Sequence, residues 1–355
     1  METTLVEIVG IDIGFGFTKA TNGRDVVVFK SIFGEAAEIQ YREQLLEPSG
    51  GEDHLHLEVD GKPCFVGELA ERQSNVRSFT LDQNQFVTGF TRIMALAALS
   101  RLAPKGDALK LVTGLPISYY RRHREEIARL LTGKHSFRVI DRAGQANDFN
   151  TTVSQVRVIP QPFGSLFNLM LGSLAEVADK RFVQGKIGVI DVGFRTCDFT
   201  IADRTRYSER GSRTTDHGIA QAFGIIAGKL RDMSGVNVEL YRLYEAAARG
   251  NIKIRGKTID LKPMLEEVLG KLASSIASEV ERLWVDDWDI DLMAITGGGG
   301  AVLAPYLKPM LDGEVLSMDP NSDARLNNVR GYWKYGKHLW GRETRPAAPT
   351  PAAAQ

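Results

Sequence analysis

The sequence predicts an α/β protein that contains two copies of one domain. The chain has 355 residues, which is enough for two domains with separate hydrophobic cores. Short apolar runs typical of buried strands alternate with longer helical patterns. The pattern at residues 10–15 is repeated at residues 189–194: an apolar strand is followed by Asp, an apolar residue, Gly and an aromatic residue. The repeat indicates a boundary between the two copies near residues 160–164.

The first half begins with a buried strand and its turn at residues 6–12. Short strands among polar loops are predicted at 23–67, where residues 49–53 form a clear loop. The elements that follow are a helix at 91–102, a strand at 111–116, a charged surface helix at 119–131, a short strand at 156–159 and a helix at 166–177.

The second half repeats this alternation. A strand at 187–191 opens a second glycine turn, and helices are predicted at 219–230 and 263–284. A buried strand at 292–295 then ends in Thr296 and four glycines. Residues 343–355 are rich in Pro and Ala and contain almost no large apolar residue, so we expect a disordered tail.

The first glycine turn has the composition of a phosphate-binding hairpin. Gly14 and Gly16 allow the backbone N–H groups to approach a phosphate as an anion nest. Asp12, at the end of the strand, is placed to hold Mg²⁺ through water, and Lys19 can reach the β- and γ-phosphates. On this segment alone, a hairpin with an exposed Asp explains the pattern equally well.

The second turn makes the phosphate interpretation the stronger one. Asp191, Gly193 and Thr196 repeat the same layout in the other half of the chain. Two facing hairpins can clamp a polyphosphate and share one metal ion, and recurrence of this pattern by chance is improbable.

A third glycine-rich element follows the last predicted strand. Gly297, Gly298 and Gly299 leave bare backbone against which a flat base and a ribose can lie. The alternative interpretation is a flexible turn. A dinucleotide fingerprint fails, because Lys19 stands where it needs a third Gly, and the P-loop spacing fails before Lys257.

Together these elements resemble a known family. The chain is similar to bacterial actin-like ATPases of the ParM/StbA plasmid-segregation type. The segments that carry the resemblance are the two phosphate loops at 12–19 and 190–198, the adenosine loop at 296–299, and the narrower motifs at 114–120 and 328–332. The resemblance covers nearly the whole chain up to about residue 341.

The resemblance implies an actin-like fold, that is, a duplicated ribonuclease-H-like fold of two α/β domains around a nucleotide cleft. It implies domain I at 1–160 with a small subdomain at about 25–88, and domain II at 161–330 with a small subdomain at about 213–288. A C-terminal segment at 331–342 is expected to pack on domain I.

The same resemblance implies the residues of the site. ATP and Mg²⁺ are the expected cofactors, with Asp12 and Asp191 at the metal and in catalysis. The residues expected to contact the nucleotide are Gly14, Phe15, Gly16, Lys19, Gly193, Phe194, Arg195, Thr196, Gly297, Gly298 and Gly299. Gln161 matches the catalytic position and could orient the attacking water, although the segment 160–162 could instead only stiffen the hinge. Arg195 could reach a phosphate or point to solvent.

Composition limits the class of partner. Lys plus Arg and Asp plus Glu both number 44, so no net charge favours direct binding to nucleic acid or membrane. Two distant cysteines suit a reducing cytoplasm, the N-terminus lacks the pattern of a signal peptide, and no apolar run has membrane-spanning length. We expect a cytoplasmic protein.

The leading functional hypothesis is an ATPase that polymerises head to tail and moves or positions plasmid DNA through an adaptor protein. The alternative is a monomeric ATPase or phosphotransferase, such as a sugar kinase, on the same fold, or a chaperone of that fold. A kinase needs a carboxylate base that no motif supplies, and a chaperone needs a further peptide-binding domain, whereas only a short tail is expected after residue 341. A nucleotide-binding scaffold with little turnover is a third hypothesis.

Overall fold

The structure is a computed structural model that describes residues 7–37, 54–78, 89–103, 108–317 and 322–341. The strands are β1 (Glu7–Ile13), β2 (Phe17–Thr21), β3 (Val26–Lys30), β4 (Phe33–Glu35), β5 (Leu55–Val59), β6 (Lys62–Val66), β7 (Arg77–Ser78), β8 (Ala108–Leu115), β9 (Gly133–Ile140), β10 (Ala146–Pro160), β11 (Lys186–Val192), β12 (Cys197–Asp203), β13 (Arg206–Thr215), β14 (Asn251–Ile254), β15 (Lys257–Asp260), β16 (Leu292–Thr296) and β17 (Val315–Ser317).

Helices cover both sheets. The α-helices are α1 (Glu68–Gln73), α2 (Thr91–Leu102), α3 (Ile117–Leu131), α4 (Pro162–Met170), α5 (Arg181–Gln184), α6 (Ile219–Ser234), α7 (Leu240–Arg249), α8 (Lys262–Leu283), α9 (Gly298–Leu307) and α10 (Asn327–Trp340). Two 3-10 helices span Lys308–Met310 and Ala324–Leu326. Within the described ranges, no helix combines the length and apolar character needed to cross a membrane.

Two sheets of related topology organise the chain. The larger sheet has the order β3-β2-β1-β8-β10-β9-β5-β6-β4-β7, and the smaller has the order β13-β12-β11-β16-β17. In each sheet, the first three strands of this order are antiparallel to one another, and the next two pairings are parallel. The parallel pairs are β1 with β8 and β8 with β10 in the larger sheet, and β11 with β16 and β16 with β17 in the smaller sheet. This match confirms the predicted duplication and the actin-like fold class. We call the part around the larger sheet domain I and the part around the smaller sheet domain II.

Each sheet has its own core, and a third apolar cluster joins them. The joining cluster includes Phe163 and Leu166 of α4, Tyr332 and Trp340 of α10, and Val189 of β11. Helix α10 packs on α4, β1 and β8, so the end of the described chain returns to domain I. The helices α4 and α10 therefore hold the two sheets together beneath the cleft.

Two predicted elements differ from the structure. The strand expected at 156–159 is the end of the longer β10, whose first half pairs with β9 and whose second half pairs with β8, with a register shift between Val153 and Gln155. Its first half is mostly polar and includes both exposed and buried residues, so the sequence there contains no apolar run. The helix expected at 166–177 ends at Met170, where Leu171 is extended and a turn through Gly172 follows. The predicted loop at 49–53 and the tail at 343–355 lie outside the described residues.

Candidate functional site between the two domains

Two glycine hairpins close in the same way on opposite sides of a cleft. In the β1–β2 hairpin, Gly14 N–H donates to the Phe17 carbonyl at 3.1 Å, and in the β11–β12 hairpin, Gly193 N–H donates to the Thr196 carbonyl at 2.8 Å. The ring of Phe194 from the second hairpin packs against Gly16 of the first. The repeated sequence pattern thus forms a repeated turn, and the two turns meet.

Three side chains named by the sequence analysis converge at the first hairpin. Asp12 is only 2% exposed. Its Oδ2 accepts from Lys19 Nζ at 3.0 Å, and its Oδ1 accepts from Gln161 Nε2 at 3.1 Å. Lys19 faces Asp12 across the β1–β2 ladder, whereas Gln161 arrives from the start of α4. A carboxylate, an ammonium group and an amide thus lie within hydrogen-bonding distance at one edge of the cleft.

The second hairpin carries a different charge pattern. Asp191 occupies the ladder position equivalent to Asp12, but the residue opposite it is Asp198, where domain I has Lys19. Asp191 is 4% exposed, and its Oδ2 accepts from Asn328 Nδ2 at 2.7 Å. Burial raises the pKa of Asp191 to about 7; the bond from Asn328 opposes this rise, and the charges of Asp198 and Asp12 add to it.

The donors present fit a magnesium ion that is held together with phosphates. In the described part of the chain, no cluster of three or more His, Cys, Asp or Glu side chains is arranged to hold a metal by itself. Mg²⁺ in nucleotide sites is commonly bound by one or two carboxylates, waters and substrate oxygens. Asp12 and Asp191 are two such carboxylates, and both are buried. Burial raises the pKa of Asp191, the charges of Asp198 and Asp12 add to the rise, and a divalent cation beside this carboxylate would favour its ionised form.

The third glycine element begins a helix. Gly297 has a φ of +84°, and a Cβ there would lie 2.3 Å from Asp191 Oδ1, so a side chain at this position would collide with the carboxylate. Helix α9 starts at the next residue, Gly298, and its first turn faces the cleft. The predicted turn is therefore limited to Gly297. Gly298 and Gly299 belong to the first turn of the helix, whose backbone N–H groups carry the positive end of the helix dipole.

Residues that the sequence analysis did not identify complete this end of the cleft. Tyr244 of α7 donates its hydroxyl to the Gly298 carbonyl at 3.1 Å. The Arg325 guanidinium lies over the rings of Phe17 and Tyr244, at 5.1 and 5.8 Å from their centroids, and is held by Asp323. No local pattern marks Tyr244 or Arg325, because they come from separate segments that only the fold brings together.

The cleft, together with the adjoining space open to solvent, has an empty volume of about 660 Å³. Its lining residues are Asp12, Ile13, Gly14, Phe15, Gly16, Phe17, Lys19, Pro116, Gln161, Asp191, Gly193, Phe194, Thr196, Ile219, Tyr244, Gly297, Gly298, Gly299, Arg325 and Asn328. Arg195 is not among them: its guanidinium lies 5.5 Å from the ring centroid of Phe15 and 4.0 Å from Asp216. The structure therefore brings together every predicted site residue except Arg195.

A second contact joins α7 of domain II to domain I. The Tyr241 side chain of α7 is buried against Ile32, Phe65 and Ala70 of domain I. Its hydroxyl donates to Glu71 Oε1 of α1 at 2.7 Å and also contacts Glu239. We call Tyr241, Glu71 and Glu239 the clasp.

Further cations support Glu71 within the clasp. Lys30 Nζ donates to Glu71 Oε2 at 2.6 Å, and Arg242 donates to Oε1 at 3.1 Å. Burial disfavours the charge on Glu71, but the bonds from Lys30 and Tyr241 outweigh burial and lower the pKa of Glu71 to about 2. Glu71 is therefore ionised at neutral pH, and it links α1 of domain I to α7 of domain II.

A third contact joins the domains behind the hairpins. Asp198 of β12 accepts from the backbone N–H of Ile117, at the first turn of α3, at 3.0 Å. Thr214 donates to the same carboxylate and also accepts from the N–H of Ser118. Burial raises the pKa of Asp198 to about 6, and the bonds from Thr214, Ile117 and Thr196 oppose this rise. A carboxylate of domain II thus caps a helix of domain I.

Comparisons with known proteins agree with this architecture. Residues 10–164 match the family described as the N-terminal domain of actin-like proteins, and residues 189–309 match the C-terminal domain of the archaeal actin homologue, MreB-like. No curated protein matches the sequence significantly.

Solved structures share the fold over their whole length. A 15-stranded ParM filament from Clostridium botulinum superposes with a TM-score of 0.76 at 24% identity, covering 94% of this chain and 99% of the other. The archaeal actin homologue Ta0583 in complex with ADP gives 0.77 at 18% identity, covering 94% and 99%. ParM from Bacillus thuringiensis with AMPPNP gives 0.69 at 16% identity, covering 95% and 99%. The sequence matches in both halves, the duplicated topology and the shared fold show that this chain is built of two actin-like domains.

Proposed function

We propose that this chain binds ATP with Mg²⁺ in the cleft, hydrolyses it, and assembles head to tail into filaments that move or position plasmid DNA through an adaptor protein. The observation that carries the proposal is the convergence of two glycine hairpins, Asp12, Lys19, Gln161 and Asp191 in one cleft. Phosphoryl transfer to water depends mainly on positioning and on charge stabilisation. These groups supply both.

Each group has a defined task in hydrolysis. Lys19 neutralises phosphate charge, and the N–H groups of the two hairpins bind phosphate oxygens from opposite sides. Gln161 accepts a hydrogen bond from the attacking water and orients it in line with the γ-phosphate. Its present bond to Asp12 keeps its amide within the cleft.

Mg²⁺, when bound, would supply positive charge that offsets the negative charge of the phosphates. Asp12 and Asp191 would hold the ion from opposite domains. Because the nucleotide touches both domains, binding favours the closed cleft, and a ligand can shift a conformational equilibrium only through such differential contact.

The end of the cleft formed by α9, Tyr244 and Arg325 suits the nucleoside. The first turn of α9 offers bare backbone, and Tyr244 and Arg325 provide an aromatic ring and a planar cation beside it. A planar guanidinium and an aromatic ring are surfaces on which a purine can stack. We assign the base to this end.

Assembly follows from closure in this proposal. A head-to-tail contact that does not close on itself must propagate into a filament. A ParM of the same fold forms a filament in one of the solved structures described above. The equal numbers of acidic and basic residues favour an adaptor over direct contact with DNA.

Nucleotide-dependent light scattering tests the proposal. Addition of Mg·ATP should raise scattering above a critical protein concentration, and scattering should decay as phosphate is released. Asp12→Asn should abolish phosphate release, whereas the matched change Asp25→Asn, at an exposed Asp in the next hairpin, should leave it unchanged. If the protein stays monomeric in sedimentation with both Mg·ATP and a non-hydrolysable analogue, the filament hypothesis is rejected and the monomeric ATPase is retained. Absence of phosphate release would remove the ATPase as well.

A further inference from the structure

A buried chain of hydrogen bonds ends on Asp191. Asn328 Nδ2 donates to Asp191 Oδ2 at 2.7 Å. Asn328 Oδ1 accepts from both the backbone N–H and the hydroxyl of Ser165, at 2.9 and 2.7 Å. The Ser165 hydroxyl also lies 2.6 Å from Thr296 Oγ1. All four side chains are buried, so water does not substitute for these bonds.

The direction of these bonds is fixed by their chemistry. The backbone N–H of Ser165 can only donate, so the atom of Asn328 that faces it must be the oxygen. The amide NH₂ therefore faces Asp191. Because the Ser165 hydroxyl donates to Asn328, the contact with Thr296 must be donated by Thr296. Every donor in the chain thus points toward the carboxylate, and such aligned bonds reinforce one another.

Asn328 lies next to the start of α4 and to the ends of β11 and β16. Ser165 is in the first turn of α4, directly after Gln161, and Asp191 and Thr296 lie at the ends of β11 and β16. Asn328 itself is in the first turn of α10. One side chain therefore connects the helix that carries Gln161, the strand that carries Asp191 and the strand that leads into Gly297.

Asp191 depends on this partner. Among the described residues, Asn328 is the one side chain that donates a hydrogen bond to Asp191. Its neighbour across the ladder, Asp198, is another carboxylate. A buried carboxylate without donors is costly, and its orientation is then no longer defined. With Oδ2 bonded to Asn328, Oδ1 is the oxygen that a ligand in the cleft can reach.

We infer that Asn328 is a positioning residue, which turns Asp191 so that one oxygen faces the Mg²⁺ of the bound nucleotide. The inference rests on the proposed function. Partners that orient a metal ligand typically affect metal affinity tenfold to a hundredfold when removed. A purely structural cross-link would lower stability without changing the effect of Mg²⁺ on nucleotide binding.

Calorimetric titration with ADP, in excess Mg²⁺ and in EDTA, separates the two roles without measuring turnover. In Asn328→Ala, the factor by which Mg²⁺ tightens ADP binding should fall about tenfold or more, while affinity in EDTA stays within about threefold of the wild type. The matched control is Asn327→Ala. Asn327 is the neighbouring buried asparagine, its Oδ1 accepts from Asn168, and it does not line the cleft. It should keep the wild-type Mg²⁺ factor.

Two outcomes overturn the inference in distinguishable ways. If the wild type shows a Mg²⁺ effect and Asn328→Ala keeps it within twofold, Asn328 does not position Asp191 and the proposed function stands. If the wild type shows no Mg²⁺ effect, the proposed magnesium site fails and the inference fails with it. Should Asn328→Ala not fold, Ser165→Ala provides the test, because it removes the hydroxyl that donates to Asn328 Oδ1. The factor by which Mg²⁺ tightens ADP binding should then fall about threefold. An unchanged factor would count against the inference.

Discussion

Gly331 and Gly164 face each other where α10 crosses α4, so closely that a Cβ on Gly331 would lie 1.6 Å from the Gly164 carbonyl oxygen. This close approach of the two helices sets the positions of the residues on either side of Gly331 in α10. Asn328 lies one turn before Gly331 and reaches Ser165, and Tyr332 follows it and places its hydroxyl 3.4 Å from the Gln161 carbonyl. The helix crossing beneath the cleft therefore positions two residues of the site.

Gly331→Ala should destabilise the protein by about 3 kcal/mol, because the methyl group must push two backbones apart. The control is Gly270→Ala in α8, where a Cβ would meet no atom within 4 Å. That change should be neutral or stabilising by up to about 1 kcal/mol, since Ala is the better helix former. Urea unfolding of both variants measures the difference. Equal stability of the two would show that the crossing can relax without cost.

The fold could be predicted from the sequence where its signals are local. The duplication follows from two six-residue patterns, because each pattern specifies a hairpin by its own glycine. The helix predicted at 91–102 coincides with α2. Most residues of this segment are apolar and buried, so the local sequence alone carries the signal. The first half of β10 could not be predicted. Most of its residues are polar, and the partner that supplies its ladder hydrogen bonds, β9, cannot be recognised from this segment alone.

The site divides in the same way. Asp12, Lys19 and Asp191 are on the hairpins themselves, so local sequence places them. Tyr244 and Arg325 come from remote segments, and only the tertiary structure brings them to Gly298. Arg195 is in the turn of the second hairpin, but its guanidinium lies over the Phe15 ring and near Asp216 and does not line the cleft. The roles of all these residues in hydrolysis remain predictions.

Gln161→Ala should slow hydrolysis about tenfold or more and leave ATP affinity within about threefold, because the amide acts on the water rather than on the nucleotide. The backbone of Gln161, which donates to the Leu115 carbonyl at 2.8 Å, is unchanged by the substitution. Single-turnover phosphate release and equilibrium binding measure the two effects. Gln221→Ala, at an exposed position of α6, is the control and should match the wild type. If Gln161→Ala hydrolyses ATP at the wild-type rate, another group must orient the attacking water.

The last prediction concerns the clasp and the release of nucleotide. The Tyr241 hydroxyl of domain II donates to Glu71 of domain I, and the Tyr241 ring is buried against domain I. These contacts exist only while α1 and α7 are close together. They therefore stabilise the closed cleft relative to an open one, and a nucleotide bound between the domains leaves when the cleft opens.

Tyr241→Phe removes the hydroxyl and keeps the ring. We expect a cost of about 1 kcal/mol to the closed form, below the usual range for a hydrogen bond to a charged group, because Lys30 and Arg242 still bond Glu71. That cost corresponds to about fivefold faster nucleotide release. Stopped-flow chase of a fluorescent ADP analogue measures the rate.

Tyr335→Phe is the matched control, because Tyr335 is stacked on Phe167 at 4.4 Å beneath the cleft and keeps this contact as Phe. Its release rate should equal that of the wild type. Glu71→Gln should also accelerate release, because a neutral amide holds Lys30 and Tyr241 less strongly than a carboxylate that is ionised at neutral pH. If both clasp variants release ADP at the parent rate while the control behaves as expected, opening does not require the clasp to separate, and the nucleotide must leave by a motion that keeps α1 and α7 together.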